Sequence, residues 1–94
     1  LGPEAVAELN RLLTLLRDNP TVRIEIQGHS DDLEALSNTS ISEERAKSVA
    51  RYLIEKGYSN LTTKGMGNTT PKVSNDTEQG RAQNRRVEVE VLSR

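Results

Sequence analysis

The residues able to do chemistry are few, and they gather in three places. The single histidine, His29, lies in Gly28-His29-Ser30-Asp31-Asp32. On paper His29, Ser30 and Asp31 supply the residue types of a Ser-His-Asp triad. Sequence neighbours at a strand's end point in different directions, however, and no separate nucleophile, base and orienting group can be assembled. The cluster therefore reads as a structural, hydrogen-bonded histidine, and the chain as something other than an enzyme. There is no cysteine, which excludes disulfides, thiolate zinc sites and cysteine catalysis. One histidine cannot make a multi-histidine metal site. No metal and no cofactor is called for. Gly65-Met66-Gly67 begins like a dinucleotide fingerprint, but Thr70 stands where the third glycine is needed, so it reads as a turn after a strand. Four Asn-x-Ser/Thr triplets, at Asn38, Asn60, Asn68 and Asn75, follow from loops rich in Asn and Thr, and matter only in a glycosylating pathway.

The second place is Arg81, Arg85 and Arg86. The whole chain has a net charge of -1, yet residues 1–47 carry -4 and residues 48–94 carry +3. Most of that positive excess sits in these three arginines. The overall balance argues against bulk binding to nucleic acid or anionic lipid. Glu88 and Glu90 follow directly, and no aromatic residue interleaves to stack a base. Structural ion pairing or a small-anion site fits better than nucleic acid.

The third place is the loop that leaves the first strand. Asp31 opens it, and Arg45 stands in the first turn of the next helix. A helix N-terminus attracts carboxylates, and an arginine fork there adds bidentate pairing. An aspartate opposite would attract an ammonium group. Together they describe a receptor for a zwitterionic, amino-acid-like group. The simpler alternative is a direct Asp31–Arg45 salt bridge.

The elements that hold these residues follow from periodicity. Ala5, Leu9, Leu12, Leu13 and Leu16 recur at helical spacing over Pro3 to Asn19. Pro3 and Glu4 suit the first turn, and Asn19-Pro20 stops the helix. Val22, Ile24 and Ile26 then alternate with polar residues, giving a strand with one buried face. A polar loop is expected from Gly28 to Ser40. A second helix is expected from Ser42 as N-cap, with Ala46, Val49, Ala50, Leu53 and Ile54 as its stripe and Gly57 as its stop. A strand over Leu61 to Met66, a long loop over residues 67–80 and a helical turn over Arg81 to Asn84 follow. Val87, Val89 and Val91 predict a last half-buried strand. Strand–helix–strand implies parallel neighbours. Alternating rather than continuously apolar strands imply helices on one face only. The expectation is a two-layer α/β sandwich.

The chain has 94 residues, enough for one small domain. Hydrophobic residues make up 33%, and Phe and Trp are absent. That is a thin supply for a core of this size, and it suggests a structural piece supplied from elsewhere. No run of about 18 apolar residues exists to form a transmembrane helix.

The wording of the sequence is more specific than its pattern. Ile24-Glu25-Ile26-Gln27-Gly28-His29-Ser30-Asp31 resembles the strand-plus-GHTD motif of the OmpA-like peptidoglycan-binding domain. Asn38-x-x-Ile41-Ser42-x-x-Arg45-Ala46 is similar to that family's N-x-x-L-S-x-x-R-A. Gly65-x-Gly67, Pro71, Asn75-Asp76-Thr77, Gly80-Arg81-Ala82 and Asn84-Arg85-Arg86-Val87-Glu88 are similar to its closing signature. The matches run in order over about residues 9–91.

The resemblance implies a β-α-β-α-β-β domain with a mixed sheet, which binds the peptide stem of the bacterial cell wall without catalysis. It implies that Asp31 and Arg45 hold the diaminopimelate residue, that Asn38 supports them, and that Arg85 lines the site or props it. It also implies a periplasmic location, within an outer-membrane or envelope-attached protein. The stretch Asp31 to Asn38 is one residue shorter than the family's usual loop and lacks its glycine, Ser30 replaces a threonine, and Asp32 is an extra acid. A second reading stays open on that shortened loop: an interaction or oligomerisation module of the same fold that has lost muropeptide binding. The family domain begins with a strand before the first helix, so residues 1–94 are expected to be one N-terminally truncated domain. Its sheet would be completed by residues outside this sequence or by a neighbouring chain in a homodimer.

Overall fold

The hydrophobic pattern resolves into seven elements in the computed structural model, which describes all 94 residues. They are α1 (Pro3–Asp18), β1 (Arg23–Gly28), α2 (Asp32–Ser37), α3 (Ile41–Glu55), β2 (Leu61–Gly65), α4 (Glu78–Asn84) and β3 (Val87–Ser93). α1 starts on Pro3 and carries Glu4 in its first turn and Arg17 in its last, each favourable to the helix dipole. Of its expected stripe, Leu9, Leu13 and Leu16 are buried and Leu12 is partly buried, whereas Ala5 is exposed.

β1 is the centre of the sheet, whose order is β2-β1-β3. It runs parallel to β2, with Ile24 opposite Leu61 and Gly28 opposite Gly65. It runs antiparallel to β3, with Ile26 opposite Val89 and Gly28 opposite Val87. Ile24 and Ile26 are fully buried on one face, while Glu25 and Gln27 are half-buried on the other. α3 is the crossover between the parallel strands, and its Ala46, Val49, Ala50 and Leu53 complete the core with the α1 leucines. Helices on one face of a mixed three-stranded sheet make the two-layer α/β sandwich that the alternation implied. Gly57 ends α3 with a φ of +97°, a backbone state that glycine adopts at little cost. No helix is long and apolar enough to cross a membrane.

Four details depart from the expectation. The polar stretch after β1 contains the short helix α2. α3 begins at Ile41, not at Ser42 as a capping residue. Ser42 is buried instead, and its Oγ accepts the Gly67 N–H at 3.0 Å, tying α3 to the end of β2. The turn expected over Arg81 to Asn84 begins earlier, because Thr77 caps it by accepting the Gly80 N–H at 3.0 Å. The last strand is less buried than its alternation implied: Val89 is 39% exposed and Val91 50%. A cavity of about 560 Å³ lies between α1, α3 and β3, where direct packing would have buried Val89.

Gly28 sets the position of the site. A Cβ there would come within 1.7 Å of the Ser42 carbonyl oxygen. Only glycine lets the first turn of α3 close onto the end of β1, and that contact brings the α3 residues beside the loop that β1 feeds.

Candidate functional site

Asp31 is the N-cap of α2. Its Oδ1 accepts the Glu34 N–H at 2.8 Å, and the Glu34 Oε1 accepts the Asp31 N–H at 3.2 Å, a reciprocal capping box. The other carboxylate oxygen accepts from the Arg85 guanidinium at 2.7 Å. Asp31 is only 2% exposed. Burial would push its carboxyl pKa up, but the Glu34 N–H and the Arg85 guanidinium outweigh it and hold the carboxylate below its ordinary range.

Arg45 projects from α3 onto the same cap. Its fork grips Glu34 in bidentate fashion, Nη1 to Oε1 at 2.7 Å and Nη2 to Oε2 at 2.5 Å. Nη1 also donates to the His29 carbonyl at 3.1 Å. Parallel donation of this kind is the strong geometry for an arginine on a carboxylate. The two Arg45 bonds are the main reason that Glu34 titrates below the usual carboxylate range.

Arg85 closes the other side, donating to Asp31 and, at 2.6 Å, to Glu78 Oε1. These two carboxylates, Glu78 first, raise its pKa above the ordinary arginine value. Two ion-paired groups therefore meet at the cap, Arg45 with Glu34 on one side and Arg85 with Asp31 and Glu78 on the other. Arg45 and Arg85 also border the cavity under α1.

Of the four residues expected at the site, Asp31 and Arg85 are in direct contact, and Arg45 joins them through Glu34. No direct Asp31–Arg45 ion pair forms. Asn38 stands apart from both groups. It is exposed, and its Oδ1 accepts the Ser40 N–H at 3.0 Å, shaping the turn between α2 and α3. Glu34 is the member that sequence reasoning missed. Its signal was present in Asp31-x-x-Glu34, the spacing of a capping box.

The remaining polar residues are supports. His29 is 2% exposed; its Nδ1 lies 3.2 Å from Thr70 Oγ1, and its Nε2 lies 3.2 Å from Glu88 Oε2 without hydrogen-bond alignment. Burial, helped by Arg86 and opposed by Glu88, holds it below the usual histidine value, so it stays neutral at neutral pH. Asn84 is fully buried. Its amide bonds Lys72, Val73 and Asn75, pinning the long loop before α4. The other two arginines are structural: Arg81 donates to Asn75 O at 3.0 Å, and Arg86 to Thr70 O at 2.9 Å. No three metal-ligating side chains come together. What the arrangement can do is bind a carboxylate and balance nearby charge.

The sequence profile of the OmpA family matches residues 1–85. The peptidoglycan-binding protein ArfA of Mycobacterium tuberculosis is 41% identical over 86 residues, covering 88% of this chain and 26% of that protein. The chain thus spans about a quarter of the length of that curated relative. The cell wall anchor of the T6SS from Pseudomonas aeruginosa superposes with a TM-score of 0.80 at 32% identity, covering 100% of this chain and 70% of the other. The peptidoglycan-associated lipoprotein from Burkholderia pseudomallei gives 0.88 at 26% identity, over 97% of this chain and 80% of that one.

Proposed function

This chain belongs to the OmpA family, and from that premise we propose that it binds peptidoglycan non-covalently and anchors its parent protein to the cell wall. The ligand is the stem peptide, held through the free end of its diaminopimelate residue, which carries an ammonium and a carboxylate. The location is the periplasm, within an outer-membrane or otherwise envelope-attached protein. One observation carries the reading: the Arg45 fork grips a carboxylate at the C-terminal end of β1, beside Asp31. Arg45 is the carboxylate receptor, Asp31 supplies the negative field for the ammonium, and Arg85 fixes Asp31. Two relatives whose names refer to peptidoglycan, and one described as a cell wall anchor, support the assignment.

Co-sedimentation with purified peptidoglycan tests it. The wild-type chain is expected in the pellet, and Arg45→Lys, which keeps the charge but loses the fork, is expected to bind at least tenfold more weakly. Asp31→Asn keeps a good N-cap while removing the charge, and is also expected to bind more weakly. Wild type remaining in the supernatant, or both variants pelleting as well as wild type, contradicts the proposal.

A second reading has one observation in its favour. Asp31 is buried with both oxygens engaged, and Arg45 already holds Glu34, so every charge has a partner within the chain. An interaction module without muropeptide binding would look like this. Failure of wild type to pellet favours it.

A further inference from the structure

We infer that Glu34 is an internal competitor for the ligand's carboxylate, a latch that sets the affinity of the site; the inference rests on the peptidoglycan-binding reading above. Both terminal nitrogens of Arg45 are committed to Glu34, one to each carboxylate oxygen. A second carboxylate cannot take the same bidentate face of one guanidinium while Glu34 holds it. Binding at that fork is therefore an exchange of carboxylates, and Glu34 must leave it before the ligand's carboxylate enters.

The element that carries Glu34 is built to permit this. α2 is only six residues long and buries none of them. Its two leucines face outward, Leu33 58% exposed and Leu36 85%. What holds it is polar: the capping box with Asp31, the Arg45–Glu34 pair, and the Asn68 amide donating to Asp32 Oδ1 at 2.8 Å. Elements held by few apolar contacts open at low free-energy cost. α3, which carries Arg45, is fixed by the core, and Asp31 and Arg85, which follow β1 and α4, hold each other at 2.7 Å. Glu34 can swing out while Asp31, Arg45 and Arg85 keep their places.

Thermodynamically, a site available only in its open fraction shows an affinity reduced by that fraction. Removing the latch charge raises the open fraction and tightens binding. Glu34→Gln is the informative variant, because glutamine also completes a capping box and α2 keeps its start. The Arg45–Glu34 pair is about one quarter exposed on the arginine side and one fifth on the glutamate side. An interaction of that intermediate burial corresponds to a gain of roughly tenfold, about 1.4 kcal/mol.

The experiment titrates a soluble stem peptide ending in meso-diaminopimelate into wild type, Glu34→Gln and Glu34→Gln/Arg45→Ala, with a thermal melt to verify that each is folded. The expected result is roughly tenfold tighter binding by Glu34→Gln, abolished in the double variant. A purely structural Glu34 would give weaker binding or none, so the gain is the deciding sign. Wild type that binds, together with folded Glu34→Gln that binds equally or more weakly, overturns the latch and leaves the proposed function standing. Binding by Glu34→Gln alone supports the latch and overturns the proposed function for the wild-type chain. No binding by either overturns the function, and the latch with it. A Glu34→Gln chain that does not fold overturns the latch, since its role is then to hold the fold.

Discussion

At one end of the sheet polar groups are buried, and along its β3 edge apolar groups are exposed. Asp31 and Asn84 are 2% and 0% exposed, whereas Val91 and Leu92 are 50% and 45% exposed. The difference lies in what closes each region. The buried polar groups have their partners within the chain: Asp31 has a backbone N–H and Arg85, and Asn84 uses both ends of its amide. Burial without such partners would cost several kcal/mol per group. At the β3 edge the alternation of valine and glutamate is a good strand pattern, but no element packs over its outer half. Burial is set by partners and cover, and residue type only proposes it.

Variants that remove a buried partner break this comparison hardest. Asp31→Ala leaves Arg85 and the start of α2 without their acceptor, and is expected to cost about 3–5 kcal/mol in urea unfolding. Asp31→Asn, which still caps, is expected to cost clearly less. Asn84→Ala strands the backbone groups of Lys72 and Val73 and is expected to cost about 2–3 kcal/mol by the same measurement.

Acid acts on the same end of the molecule more gradually. Asp31 and Glu34 titrate in the fold below their ordinary values of 3.8 and 4.5. The unfolded chain therefore binds more protons between the folded and unfolded values, so stability falls as pH falls through that range. Their contribution is complete above the unfolded values. His29 works in the same direction from its ordinary 6.5 downward, because the folded state resists its protonation. Melting temperature is expected to decline mildly below about pH 6.5 and more steeply below about pH 4.5. A flat profile from pH 7 to 3 would contradict the pairing described.

The smallest effect is expected at the exposed edge. Val91→Thr loses no packing and keeps a β-branched side chain, so its stability is expected within about 0.5 kcal/mol of wild type. A loss above 2 kcal/mol would show that this face is covered in solution.

The same contrast explains what the sequence made legible. Leu9, Leu13 and Leu16, Ile24 and Ile26, and Ala46, Val49, Ala50 and Leu53 of the α3 stripe announced the core, because helix and strand periods are read directly from spacing, whereas Ile54 of that stripe is 50% exposed. Asp31, Arg45 and Arg85, which the fold gathers into one cluster, were singled out by the ordered motifs around them. Glu34 and α2 were not, since six residues with no buried face leave no period to read; only the capping-box spacing marked them. Ser42 was misread as a cap because its hydroxyl serves a tertiary bond to Gly67. The exposure of Val89 and Val91 depends on an absence of cover that no local pattern records.

The proposed place of the ligand is between β1, α2 and α3, and not along the apolar β3 edge. Backbone amide shifts of the isotopically labelled chain, followed while the soluble stem peptide is added, test it most directly. Saturable shifts are expected at Gly28 to Arg45 and at Arg85, with Val89 to Leu92 unmoved. Shifts confined to Val89 to Leu92, or none anywhere at saturating peptide, would contradict it.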